Sequence, residues 1–333
     1  MNAFEWANAS TVADAVRLLA PAKPDGDPYE AARPMGGGQD LLTTMKAYIT
    51  RPPRVVNLKT ITGLDQIVSD GNGGLKIGAV ATLAQIEQSA DVAKLFPGLV
   101  EAAASIATPQ IRHVGTIGGN LCQRPRCWYF RLENYKCSKK GGDTCFSASG
   151  ENKYNAIFGG GDSFFVHPSD MAPMLIALNA TVTINGADGA RTIPLEKFFA
   201  LPDKDVRREN VLKDGEIISE IQVPASPMAA KSTYLKFKER ESQDFAMASV
   251  AAAVELNPDK TVKQARLVLG GVGTIPWRVP DAETFITGKT LTTDTVTQAA
   301  VVALKGANPL EKNGYKVPLT QTLVRRALTR LNA

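Results

Sequence analysis

Outside residues 122–145 this 333-residue chain has no cysteine, it has only two histidines in all, and no apolar run approaches the ~20 residues that a membrane span needs. Each absence excludes something. A disulfide framework spread over the chain is ruled out, imidazole chemistry has only His113 and His167 to draw on, and no segment reads as membrane-spanning. Residues 1–20 contain Glu5 and Asp14 and lack a basic n-region, so no export or anchoring signal of its own is expected. The expected compartment is the cytoplasm, or the periplasm if a partner carries the chain outward. Charge of one sign is also scarce: the formal net charge is +5, and no aromatic-interleaved basic stripe accompanies it, which argues against nucleic acid. Hydrophobic residues at 44 % and charged residues at 21 % are globular values, and the length suits two or three compact units.

What is present is concentrated. Cys122, Cys127, Cys137 and Cys145 follow the spacing C-x4-C-x9-C-x7-C, and between them lie Arg124, Arg126, Arg131, Lys136, Lys139 and Lys140 against Glu133 and Asp143. Zinc ribbons usually use two tight knuckles, whereas a [4Fe-4S] cluster can gather its thiolates from uneven separations. The surrounding cations would stabilise an anionic centre of either kind. Iron–sulfur, zinc and a pair of disulfides all remain open from the spacing.

Two glycine turns frame this loop. The first, Arg33-Pro34-Met35-Gly36-Gly37-Gly38-Gln39-Asp40, leads into a short helix bearing Leu41, Leu42 and Met45; the second, Thr116-Ile117-Gly118-Gly119-Asn120, runs straight into Cys122. A glycine turn that opens a helix bares backbone N–H groups to an anion, and the two turns could close on one phosphate from both sides. Elsewhere the pattern predicts an edge strand over 3–8, a helix capped by Ser10 or Thr11, a Pro- and Asp-rich turn from Pro21 to Pro28, a hairpin around residues 70–74, and a capping box on Thr82 and Gln85. Asp170 stands where it could N-cap the apolar helix that follows it. The last helix carries Leu319, Leu323, Val324, Ala327, Leu328 and Leu331 on one face, with Arg325, Arg326 and Arg330 opposite.

The ordered set resembles the FAD-binding medium subunit of the molybdenum hydroxylases, the xanthine dehydrogenase family. The residues that carry it are Pro34 to Leu41, Thr116 to Leu121, Tyr234-Leu235-Lys236 with Arg240, and Leu269 to Gly273 with Pro276-Trp277-Arg278. The resemblance implies an α+β architecture: a two-subdomain FAD-binding fold over 1–58 and 59–226, with an insert at 122–162, then a smaller α+β carboxy-terminal domain over 227–333. It puts FAD on Pro34, Met35, Gly36, Gly37, Gly38, Gln39, Asp40 and Leu41, on Thr116, Gly118, Gly119 and Asn120, and on Asp170 and Lys236. Most members lack the cysteine insert. The run Cys122 to Phe130, with His167 to Ala172, is similar to the aldehyde oxidoreductase type, and this raises the [4Fe-4S] reading, on Cys122, Cys127, Cys137 and Cys145, above zinc.

The expectation is therefore an electron-transfer subunit of a multi-subunit oxidoreductase, with no catalytic acid or base of its own. A large partner would hold the molybdenum cofactor, a small partner the [2Fe-2S] clusters, and the acceptor would be a small molecule or a protein. The alternative is a stand-alone flavoprotein with a structural zinc site.

Overall fold

A computed structural model describes residues 1–21 and 26–332; the centre of the Pro21–Pro28 turn lies outside the described residues. Three sheets organise the chain. The first is wholly parallel, in the order β1-β3-β2, from β1 (Glu5–Asn8), β2 (Arg33–Met35) and β3 (Arg54–Asn57). The helix Val12–Leu19 covers it, capped by Thr11, whose Oγ1 accepts from the Asp14 amide at 3.0 Å, and it buries Ala15 and Leu19 beside Val56. Both cap and face follow the sequence pattern.

The second sheet is antiparallel, in the order β4-β5-β8-β6-β7, from β4 (Ile67–Ser69), β5 (Leu75–Gly78), β6 (Thr181–Gly186), β7 (Gly189–Pro194) and β8 (Ile217–Val223). Its last strand in sequence is central in space, so the sheet closes only after the whole cysteine loop has been traversed. The expected hairpin at β4–β5 forms, and Thr82 and Gln85 make the expected capping box for the helix Leu83–Gln88.

The third sheet runs β12-β11-β10-β9, antiparallel throughout, from β9 (Ser232–Phe237), β10 (Ala248–Leu256), β11 (Val262–Gly270) and β12 (Trp277–Arg278). Helices Pro280–Ile286, Thr293–Ala303 and Lys316–Leu331 pack on it. Leu323, Val324, Ala327, Leu328 and Leu331 are buried, and each buried Leu or Val side chain contributes about 1.5–3 kcal/mol. Arg325 and Arg326 face solvent, and Arg330 pairs with Glu101 at 2.5 Å. The short helix Met171–Ala177 is buried at every residue, packed between β10 and β11 of the third sheet and the helices Pro97–Ala104 and Ile117–Leu121.

The cysteine loop has little regular structure beyond single turns at Trp128–Arg131, Ser138–Lys140 and Phe146–Ala148. It is held from both sides. Phe130 and Cys137 pack with Tyr29 and Ile49, while the far end is clasped by residues ahead of the last helix. There the Lys312 amide donates to Asn152 Oδ1 at 2.9 Å, Asn313 Nδ2 donates to the Asn155 and Ala156 carbonyls at 3.1 and 3.3 Å, and Lys316 Nζ donates to the Tyr154 and Gly271 carbonyls at 3.0 and 2.7 Å. No described helix is long and apolar enough to cross a membrane.

Candidate functional site

The two glycine turns meet. β2 delivers Met35 to the start of the first turn, and an added Cβ on Gly36 would stand 2.6 Å from Thr116 Oγ1, while one on Gly37 would stand 2.2 Å from the Val114 carbonyl oxygen. Real Cβ atoms do not come so close, so the backbones can touch only because these positions are glycine. Gly38 has φ +68°, a conformation that other residues adopt with strain. In the second turn Thr116 Oγ1 accepts from the Gly119 amide at 3.2 Å and starts the helix Ile117–Leu121.

Between the turns lies a cavity of about 450 Å³, lined by Pro34 through Leu41, by Thr116, Gly119 and Asn120, and by Asp170. Gly118 is not in its wall: a Cβ there would stand 2.8 Å from the Ala79 carbonyl, so this glycine serves packing against the second sheet. Lys236 is also absent from the wall and reaches the cavity only through Asp170. Sequence reasoning missed the opposite wall, residues 207–216, which arrives from a loop between β7 and β8. Apposed glycine turns keep side chains out of the space between them, as a cradle for a pyrophosphate requires, although the amides of residues 117–120 are already bonded to Ala79, Ala81 and Thr116.

Asp170 does not cap its helix. That task falls to Ser169, whose Oγ accepts from the Ala172 amide at 3.0 Å and donates to Asn120 Oδ1 at 2.6 Å. The Asp170 carboxylate instead pairs with Lys236 Nζ at 2.8 Å and accepts from the Tyr234 hydroxyl at 2.6 Å. Burial, and then the Asp170 charge, push the Tyr234 hydroxyl well above its ordinary pKa, so it remains a donor. Two residues of β9 thus fix one carboxylate at the cavity edge.

A buried charge cluster joins the cavity to the cysteine loop. Glu209 pairs with Arg124 at 2.7 Å and with Lys139 at 2.6 Å, the Arg124 amide donates to Asp40 Oδ2 at 2.7 Å, and an Arg124 guanidinium nitrogen donates to the Tyr29 hydroxyl at 2.9 Å. Burial alone would raise the Glu209 pKa, but Arg124 and Lys139 together hold it below the ordinary carboxylate value. Neither Arg124 nor Glu209 carries a local signal of this role, because the pair spans distant segments.

His167 lies beside the cluster, against the Phe199 ring at 4.7 Å, and burial pushes its pKa down to about 4. It is neutral when folded and takes a proton more easily when unfolded, so its contribution is intact above the ordinary value of 6.5 and is lost as pH falls toward 4. That gap corresponds to roughly 3 kcal/mol. Urea unfolding at pH 7 and pH 4.5 should show the parent losing more stability than His167→Gln; equal losses would refute this. His113 is exposed, with Nδ1 2.8 Å from the Pro109 carbonyl, and the structure shows no site around it.

The four cysteines, expected from the sequence to hold one centre, are free thiols. Cys145 lies within electrostatic reach of Cys127 and of Cys137, and Lys140 of those same two. Backbone N–H groups of Tyr129 and Phe130 point at the Cys127 sulfur, and those of Lys139 and Lys140 at Cys137. Cys122 stands apart, in the wall of the glycine-turn cavity, where burial and then Glu209 push its thiol up to about 12. Among the described residues no group of three or more His, Cys, Asp or Glu is set to hold a metal ion. The donor chemistry suits a thiolate-bound centre, but the arrangement does not complete one.

Comparison with known proteins gives consistent results. Residues 2–226 match the FAD binding domain in molybdopterin dehydrogenase, and residues 232–331 match the CO dehydrogenase flavoprotein C-terminal domain. The aldehyde oxidoreductase FAD-binding subunit PaoB of Escherichia coli (strain K12) is 32 % identical over 100 % of this chain and 99 % of its own length. The carbon monoxide dehydrogenase medium chain of Hydrogenophaga pseudoflava is 28 % identical over 98 % of this chain and 96 % of its own. In fold, the chain superposes on the CO dehydrogenase of Oligotropha carboxidovorans with a TM-score of 0.76, covering 99 % of this chain and 98 % of that one at 23 % identity.

Proposed function

Because the chain belongs to the FAD-binding medium subunits of the molybdenum hydroxylases, a family of oxidoreductase complexes, we propose that it holds FAD between its two glycine turns and passes electrons inside such a complex. A large partner carries the molybdenum cofactor in this reading, a small partner carries [2Fe-2S] clusters, and the substrate is an aldehyde. The observation that carries the reading is the meeting of Gly36 and Gly37 with Val114 and Thr116, which leaves a cradle that side chains would fill. The aldehyde assignment draws on the likeness to a relative named for aldehyde oxidation.

The flavin, when bound, supplies the exchange between one-electron and two-electron transfer. The chain supplies binding and orientation. Gly36 to Gly38 and Gly119 keep side chains out of the cavity, so a pyrophosphate can approach the main chain of the first turn, while the amides of residues 117–120 hold the second turn in shape through Ala79, Ala81 and Thr116. Asp170, fixed by Lys236 and Tyr234, presents its carboxylate at the cavity edge, where it would accept a hydrogen bond from a bound flavin. Cys127, Cys137 and Cys145 would hold a thiolate-bound iron–sulfur centre: burial pushes the Cys127 and Cys137 thiols up, and the N–H groups aimed at their sulfurs are the donors that a bound anionic centre would use. Electrons leave to a small-molecule or protein acceptor.

Anaerobic co-purification with the partner subunits, followed by absorption spectroscopy and assays for iron, sulfide and zinc, tests the whole reading. Flavin together with iron and sulfide beyond the small subunit's share is expected. Absence of flavin would sink the proposal, and flavin with zinc in place of iron would remove the iron–sulfur centre while keeping the FAD assignment.

A further inference from the structure

We infer that Cys122 belongs to the flavin cavity and is not a ligand of the centre formed by the other cysteines. The inference rests on the FAD reading above and departs from the sequence spacing, which groups all four thiols. Two adjoining cavities make the separation visible: Cys122 lines the glycine-turn cavity and not its neighbour, whereas Cys127 lines the neighbouring cavity of about 380 Å³ and not the first.

The chain on either side of Cys122 is pinned where it stands. Its own amide donates to the Gly118 carbonyl at 3.1 Å and closes the second glycine turn. Two residues before, Asn120 Oδ1 is held by Ser169 Oγ at 2.6 Å; two residues after, the Arg124 amide is held by Asp40 Oδ2 at 2.7 Å and its guanidinium by buried Glu209 at 2.7 Å. These anchors fix the backbone on both sides of Cys122 and so limit how far its sulfur can move toward the others. Cys127, by contrast, follows the anchor and is turned toward Asn155, whose Nδ2 stands 3.9 Å from its sulfur.

The two environments also differ in kind. Burial pushes the Cys127 and Cys137 thiols up, as it does Cys122, but backbone N–H groups aimed at those two sulfurs oppose the rise, and Cys145 has the Ser147 and Ser163 hydroxyls at 3.2 and 3.9 Å from its sulfur. Cys122 has no comparable donor and faces the Glu209 charge, which suits a neutral thiol against a bound ring. A set of three thiolates leaves one position of a cubane to a donor other than cysteine, and those two serine hydroxyls are the polar side chains bonded to Cys145.

The test uses the complex as purified. Alkylation of each cysteine by iodoacetamide, read by peptide mass spectrometry, is compared in the holo-complex, after removal of FAD, and after removal of iron. Cys122 should become reactive on loss of FAD, and the other three on loss of iron. Iron per chain should match the parent in Cys122→Ala and fall in Cys127→Ala, while the Cys122→Ala flavin spectrum shifts. If Cys122→Ala loses iron as Cys127→Ala does, or if Cys122 labelling ignores FAD and follows iron, the inference is overturned. A parent complex without iron at these residues defeats the iron–sulfur reading, and the FAD dependence of Cys122 labelling still decides this one.

Discussion

Gly37→Ala should strip the protein of FAD while leaving it folded. The added methyl would stand 2.2 Å from the Val114 carbonyl oxygen, and both atoms in conflict belong to backbone that is fixed by its neighbours, so neither can rotate away. Overpacking of this kind costs about 1–3 kcal/mol, and here it falls on the gap between two turns that must close on one ligand. The expected loss of affinity is roughly 10- to 100-fold. FAD fluorescence titration of the deflavinated protein reads it directly, with circular dichroism as the check on folding. Gly161→Ala is the control, since nothing lies within 4 Å of its added Cβ. Equal affinity in Gly37→Ala and the parent would mean that the turns are free to separate and do not form the cradle.

The second large effect is expected from Glu209→Gln. Glutamine keeps the shape of the side chain and removes the charge, leaving Arg124 and Lys139 buried with no carboxylate between them. Breaking a buried pair from one side costs about 3–5 kcal/mol. Urea unfolding at pH 7 should show that loss, and Glu209→Gln/Lys139→Met should recover part of it by removing one stranded cation. The sign of the pH dependence follows from the lowered pKa of Glu209: its contribution is present above the unfolded value of 4.5 and fades as pH falls through the folded value. The gap between parent and variant should therefore narrow in acid. A gap of the same size at pH 3.5 and pH 7 would place the effect in packing.

Local rules carried the sequence reading a long way. The Thr11 cap, the Thr82–Gln85 box, the β4–β5 hairpin and the apolar face of the last helix each depend on residues a few positions apart, and all four stand in the structure. The glycine turns were legible for the same reason, as was an α+β organisation. What could not be read were choices settled across long distances. Asp170 looked like an N-cap because a helix follows it, yet Ser169 takes that role and leaves the carboxylate for Lys236 and Tyr234, residues that arrive on another sheet. Glu209 has no motif around it. Closeness along the chain groups the four cysteines, whereas the partners that hold the neighbours of the first one, Ser169 for Asn120 and Asp40 for Arg124, come from distant segments that no local pattern reveals.

The clasp between residues 152–156 and the segment before the last helix bears on how such a loop can be gained or lost. Asn152, Asn313 and Lys316 are fully buried, and the groups they satisfy belong partly to the loop's exit and partly to the carboxy-terminal unit. Excising the loop as a cassette would leave Asn313 in the interior without its two carbonyl partners and Lys316 with the Gly271 carbonyl alone, a defect that one excision cannot repair. A variant of this chain without the loop would need other residues at 313 and 316. The insert and the far end of the chain are in that sense one inherited unit, and a chimera that exchanges the loop has to exchange those two positions with it.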